Sequence, residues 1–269
     1  MTYARRIPHT DWTVQCLSIL GLLGIMLLPA SALAQVNIEP FSLGREYTGW
    51  EAKAGANFKM ETNETVLLEI DLSPRVDYSE GKNSVSVVGN LGFSERAGTT
   101  FRSVYLLHTR YLRELSSALS AEFFARTQRD EFALLSNRVS SGAGLRIEVV
   151  AEDETATYAG VSFGFERERW EVEPSNRHPE TLSDPRAFGY LAYRLQITEN
   201  ATLLNTLSTS LRFAGDLEDR RITDTATLDV GISERVSLQA TFALSFDSRP
   251  PEPQPQMSVA LTNGLTVTF

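Results

Sequence analysis

Met257-Ser258-Val259-Ala260-Leu261-Thr262-Asn263-Gly264-Leu265-Thr266-Val267-Thr268-Phe269 carries different chemistry on its two parities. The odd positions are apolar except for Asn263, and the even ones are small or polar. In an extended strand alternate side chains leave opposite faces of the sheet, so one face is greasy and the other wet. Lipid outside and a hydrated lumen inside account for both faces at once.

Earlier segments repeat the pattern. Val66, Leu68, Ile70, Leu72, Val76 and Tyr78 alternate with Glu69, Asp71, Ser73, Arg75 and Asp77. Val139, Ala143, Leu145, Ile147 and Val149 alternate with Arg138, Ser140, Gly142, Gly144, Arg146 and Glu148. A soluble β-sandwich alternates too. The aromatics separate the two cases. Trp50, Tyr78, Tyr111 and Phe269 fall near one set of strand ends, and Phe93, Phe101, Phe165, Phe213 and Phe246 near the other. Two such girdles are what a membrane barrel presents at headgroup depth, whereas a sandwich crowds its rings into mid-core.

The predicted strands are 49–60, 66–78, 83–93, 99–112, 118–129, 138–150, 156–167, 186–197, 202–214, 222–232, 236–246 and 257–269. The fold class is therefore all-β, a transmembrane antiparallel up-and-down β-barrel of twelve strands, the even number that single-chain bacterial barrels use. Connections alternate between tight turns such as Gly81-Lys82 and longer polar or proline-rich stretches at 168–185, 215–221 and 247–256. The tight set is expected on the periplasmic side.

Ahead of the barrel, Arg5 and Arg6 precede an apolar run from Cys16 to Leu28, followed by Pro29 and small residues at Ala32 and Ala34. That order predicts a secretory signal peptide over 1–34, cleaved before Gln35. Residues 35–48 then form a periplasmic N-terminal segment and 49–269 the outer-membrane barrel. Removing 1–34 takes away Arg5, Arg6 and Asp11, so the formal charge moves from −9 to −10. So acidic a chain is not built for nucleic acid. The single cysteine, Cys16, lies in the removed segment, leaving no disulfide and no thiolate metal site.

The stretch Leu115-Ser116-Ser117-Ala118-Leu119-Ser120-Ala121-Glu122-Phe123-Phe124-Ala125-Arg126, with Arg138-Val139-Ser140-Ser141-Gly142-Ala143-Gly144-Leu145, resembles the YdiY-like family of salt-induced outer-membrane proteins. Trp50 and Gly55 in the first strand are similar as well. Arg146 stands where that family commonly has a further glycine, and a Gly-Asn pair near the end of the first strand is missing. The resemblance implies an outer-membrane location and no reaction. An aromatic Phe269 with Val267 and Leu265 before it also resembles the signal read by the bacterial barrel-assembly machinery. The partners expected are that machinery and outer-membrane lipids, with the barrel acting as a monomer.

Gly160-Val161-Ser162-Phe163-Gly164 matches the nucleophile elbow of hydrolases, but the elbow needs a strand, a sharp turn and a helix, and Ser162 sits mid-strand. A phospholipase-like barrel needs a histidine beside its serine. His9 is removed, His178 lies in a loop, and His108 shares the inward parity of Arg102 and Arg110. Catalytic residues, metal ligands and cofactors are expected to be none. The lumen is more informative, with Arg102, His108, Arg110, Glu122, Arg126, Arg138, Arg146 and Glu148 as its candidate lining. Charges of both signs facing inward must pair or stay hydrated. They make either a salt-bridge network or a selectivity filter. Strands nine to twelve turn small residues inward, among them Thr206, Thr225, Thr227 and Thr241, and leave space there. The function expected is an envelope barrel or a narrow channel for small polar or anionic solutes. A barrel enzyme and a surface-loop binding protein, the latter through Trp170, are the alternatives.

Overall fold

The computed structural model describes residues 39, 43, 48–62, 66–96, 99–213 and 219–269. The predicted signal peptide lies outside the described residues, as does the side chain of Arg102. Twelve strands follow one another in chain order: β1 (Gly49–Thr62), β2 (Val66–Glu80), β3 (Asn83–Arg96), β4 (Thr99–Ser116), β5 (Leu119–Asp130), β6 (Leu135–Ala151), β7 (Thr155–Trp170), β8 (Thr181–Thr198), β9 (Ala201–Arg212), β10 (Arg220–Gly231), β11 (Val236–Asp247) and β12 (Met257–Thr268). Each pairs antiparallel with its neighbours in sequence, and β12 returns to β1 to close the barrel. Closure leaves no open sheet edge, the condition for a strand structure in hydrocarbon.

The connections sort to the two ends. Gly81-Lys82, 117–118, 152–154, 199–200 and 232–235 form the turn end, and 131–134, 171–180 and 248–256 belong to the loop end. Gly81 holds φ at +56°, the left-handed region its two-residue turn needs and glycine enters without penalty. Register shifts fall near the rims, between Glu148 and Val150 or Gln196 and Thr198 at the turn end and Gln128 and Asp130 at the loop end. There a bulge bends a strand without breaking the mid-barrel alternation.

That alternation sets the two surfaces. Leu72, Leu107, Leu145, Val161, Leu191 and Leu261 are exposed on the outer wall, while Arg110, Ser140, Arg146, Ser162, Thr206 and Thr225 are buried inside. Trp50 and Tyr78 pack at the turn end with ring centroids 4.6 Å apart, as do Tyr111 and Phe123 at 6.2 Å. A ring of exposed apolar side chains around a polar interior inverts the arrangement of a water-soluble protein. The apolar cluster inside is small: Leu43, Ala156, Ala192 and Leu204, with Tyr158 and Tyr190 packed against it.

Two expectations change. Strand β7 runs on to Trp170 and β8 begins at Thr181, so much of the loop predicted over 168–185 is strand. Trp170 is 4% exposed and not a free surface aromatic: Arg138 lies over its ring at 5.6 Å and His178 meets it edge-on at 4.9 Å.

The seam between β1 and β12 is short. Its register runs only from Lys53↔Thr268 to Ala56↔Leu265, whereas β1 and β2 pair from Gly49↔Ser79 to Thr62↔Val66. The backbone N–H of Phe269 adds a bond to the Ala52 carbonyl at 2.9 Å.

Candidate functional site

The lumen divides into two charged clusters and an emptier wall. Toward the turn end, β4 and β6 present Arg110 and Arg146 inward, and both donate to the carboxylate of Glu39, a residue ahead of the first strand. Arg110 grips it with two nitrogens, Nη2 lying 2.9 Å from Oε2, and Arg146 Nη1 and Nη2 reach Oε2 at 3.1 and 3.2 Å. Arg146 is stacked over the Tyr158 ring at 4.4 Å, and Tyr158 donates its hydroxyl to Glu148 at 2.7 Å. Tyr190 donates to Glu122, its ring lying where a Cβ on Gly160 would meet it at 2.2 Å, so only glycine admits it there. Glu39 is 2% exposed. Burial alone would raise its carboxyl, but the Arg110 and Arg146 guanidiniums outweigh burial and hold it below the usual carboxylate range.

Leu43 follows Glu39 into the interior. Its carbonyl accepts from Arg194 Nε at 2.6 Å, and the same guanidinium donates to the Glu152 and Asp153 carbonyls of the turn after β6. Of the segment 35–48, assigned from sequence to the periplasm, the two residues described between 35 and 47 are thus inside the barrel. Neither a strand period nor a helix period marks them, so sequence reasoning gave no sign of it.

Toward the loop end a ladder of ion pairs joins all six strands from β6 to β11. Arg138 donates to Glu168, and Arg221 donates to Glu166, Glu168 and Asp247, the last at 2.8 Å. Arg186 lies 2.8 Å from Glu166 and donates to Asp219 at 2.9 Å, while Arg212 donates to Asp184. The Ser140 hydroxyl donates to Glu166 at 2.7 Å. Above this ladder the proline-containing loop 248–256 is tied to two other loops, Gln254 donating to the Phe132 carbonyl at 2.9 Å and Asn176 to the Glu252 carbonyl at 2.8 Å. Arg186, Arg221 and Asp219 were missed from sequence. Extending the inward parity of β8 and β10 to their loop-end tips finds the two arginines, whereas Asp219 precedes β10 and carries no periodic signal.

Among the remaining candidate residues, Arg126 is half-buried and its Nε has no hydrogen-bond partner among the described residues. His108 is buried and stacks on Phe124 at 6.0 Å, and neither ring nitrogen has a hydrogen-bond partner among the described residues. Ser162 lies within β7 opposite Gly144, with no turn beside it. Leu265 and Phe269 face outward, Phe269 at 80% exposure, while Val267 is half-buried between Ala54 and Val236.

The wall formed by β1–β3 and β10–β12 is different. Asn57, Ser73, Asn90, Thr227, Thr241, Thr262 and Thr266, with Lys53, Asp71 and Arg75, line a cavity of about 100 Å³ that reaches Glu39. Short hydroxyl and amide side chains leave this side of the lumen unfilled.

The family described as Protein of unknown function, DUF481, matches residues 43–269. The chain belongs to this family. Its match covers every strand of the barrel and begins at Leu43, the residue held by Arg194. No curated protein matches the chain. Among solved structures, the translocator domain of the autotransporter NalP from Neisseria meningitidis is similar at 10% identity, with 95% of this chain and 97% of that one covered and a TM-score of 0.45. The NanC porin is similar at 8% identity, covering 82% and 98%, with a TM-score of 0.43. The CymD monoaromatic hydrocarbon channel is similar at 9% identity, covering 86% and 91%, with a TM-score of 0.42.

Proposed function

We propose that this DUF481 chain is an outer-membrane barrel that passes small polar or anionic solutes along the β1–β3 and β10–β12 wall and has no catalytic residues. The observation that carries the reading is the asymmetry of the lumen. One half is filled by paired arginines and carboxylates, and the other holds a cavity among threonines, asparagines and a few charges. A low-dielectric barrier repels ions, so a permeable path needs polar groups that replace water, as hydroxyls and amides do. Arg75 and Lys53, paired with Asp77 and Glu51, share the lining of that path with Asp71 and are the donors an anion would use. The apolar exterior supports a membrane location. The predicted signal peptide and the resemblance to YdiY-like salt-induced outer-membrane proteins support the bacterial outer membrane, with the turn end in the periplasm. Leu265, Val267 and Phe269 then serve as the assembly signal.

Single-channel recording in planar bilayers tests this. The unsubstituted protein is expected to conduct, with an anion preference in asymmetric potassium chloride. Thr227→Trp combined with Thr241→Trp, which places two indoles in the cavity, is expected to abolish conductance, whereas Leu191→Trp on the outer surface leaves it. A silent unsubstituted barrel, or conductance indifferent to the paired tryptophans, removes the channel.

A further inference from the structure

We propose that Arg110 and Arg146 form a carboxylate-binding site in the lumen, and that Glu39 is its built-in occupant, held in place of a small free carboxylate. The proposal takes the lumen from the channel reading but does not depend on conductance.

Three observations point this way. First, the two guanidiniums stand on separate strands, β4 and β6, of a rigid wall, and their carboxylate comes from outside the strand framework. The receptor is thus fixed by barrel hydrogen bonds, whereas the occupant is tethered by the chain ahead of β1. Second, the site is furnished beyond one ion pair. Arg110 takes both carboxylate oxygens in the forked geometry guanidinium offers, Tyr158 lies under Arg146, and the Tyr190 oxygen is 3.5 Å from Arg146 Nη1. A carboxylate serving only to neutralise two arginines needs none of these. Third, spare capacity remains at the same place: Arg110 Nε and both nitrogens of buried His108 lack hydrogen-bond partners among the described residues. A free carboxylate bearing a neighbouring hydroxyl would meet groups that Glu39, ending at its own carboxylate, leaves unused.

The cavity along the threonine wall reaches Glu39, whose buried side chain separates a solute arriving there from Arg110 and Arg146. Exchange follows simple competition: the tethered carboxylate has a high effective concentration, and a free one displaces it only when abundant or when it makes additional contacts. The ligand class is accordingly a small mono- or hydroxycarboxylate.

Chemical rescue reads this directly, using the full mature chain folded in detergent micelles. Glu39→Ala is expected to lower Tm. Sodium acetate should then restore it, Tm rising with the logarithm of acetate concentration above the dissociation constant and by roughly 5 °C at a hundredfold excess over it, with sodium chloride at equal ionic strength as reference. Lactate should give the same rise at lower concentration than acetate. The unsubstituted protein should show no acetate-specific rise at the concentrations that rescue Glu39→Ala. Glu39→Ala combined with Arg146→Gln should lose the acetate response. If Glu39→Ala does not assemble alone, its refolding in sodium acetate against sodium chloride of equal ionic strength, read by gel mobility of unheated protein, takes the place of the melting curve. Equal shifts by acetate and chloride, or equal responses with and without Glu39, overturn the proposal. Because the readout is thermal, a barrel that fails to conduct leaves this test intact.

Discussion

Replacing Glu166 by alanine tests whether the loop-end ladder holds the barrel together. The Glu166 carboxylate is 1% exposed, lies 2.8 Å from Arg186, accepts from Arg221, and accepts the Ser140 hydroxyl at 2.7 Å. Deleting it leaves Arg186 with Asp219, Arg221 with Glu168 and Asp247, and the hydroxyl with no acceptor on β7. Removing one partner of a buried pair costs about 3–5 kcal/mol, and an orphaned buried hydroxyl about 1–3 kcal/mol more. The surviving carboxylates offset part of this, because each arginine keeps an opposite charge in hydrogen-bond range. A net loss of about 3 kcal/mol is expected, at the low end for a broken buried pair. At about 2–4 °C per kcal/mol for a chain of this size, Tm falls by roughly 6–12 °C. The assay is loss of far-ultraviolet circular dichroism on heating in micelles, read beside the gel mobility of unheated protein. Glu180→Ala is the control, since its pair with Arg169 leaves both side chains more than half exposed and should change nothing measurable. A Glu166→Ala barrel that melts within a degree of the Glu180→Ala barrel refutes the reasoning.

Gly144→Ala is expected to block assembly of the folded barrel, because the added methyl would meet the Val161 carbonyl at 2.0 Å and the Ser162 backbone at 2.5 Å; Gly231→Ala, whose nearest neighbour is 3.7 Å away, should fold normally, and gel mobility before and after boiling reports both. Phe269→Ala should leave refolding in micelles unchanged, since this ring is 80% exposed and its backbone bond to Ala52 survives. In cells the same change should lower the amount of barrel inserted in the outer membrane several-fold by membrane fractionation. Equal insertion of both forms would remove Phe269 from the assembly signal.

The strands were legible because hydrocarbon imposes a period of two that water does not blur. Val139, Leu145 and Ile147 outward against Arg138, Ser140 and Arg146 inward leave a single register for β6. Beyond the apolar belt that contrast ends. In Glu166-Arg167-Glu168-Arg169-Trp170 both parities carry charge, so the tip of β7 reads as a polar loop although it is still paired, Arg167 with Val139 and Arg169 with Asn137. The inward charges of β4 and β6 were visible, but their partner was not. Glu39 reaches Arg110 across 71 positions of sequence, and no local pattern encodes such a contact.

The brevity of the β1–β12 seam sets where this cylinder is most easily unzipped. Local opening costs least where the fewest bonds must break together, and only Lys53 to Ala56 face Thr268 to Leu265 across that line. Amide deuteration should start there, well before the long ladders of β6 with β7. A newly made chain completing its circle has its lowest barrier between β1 and β12.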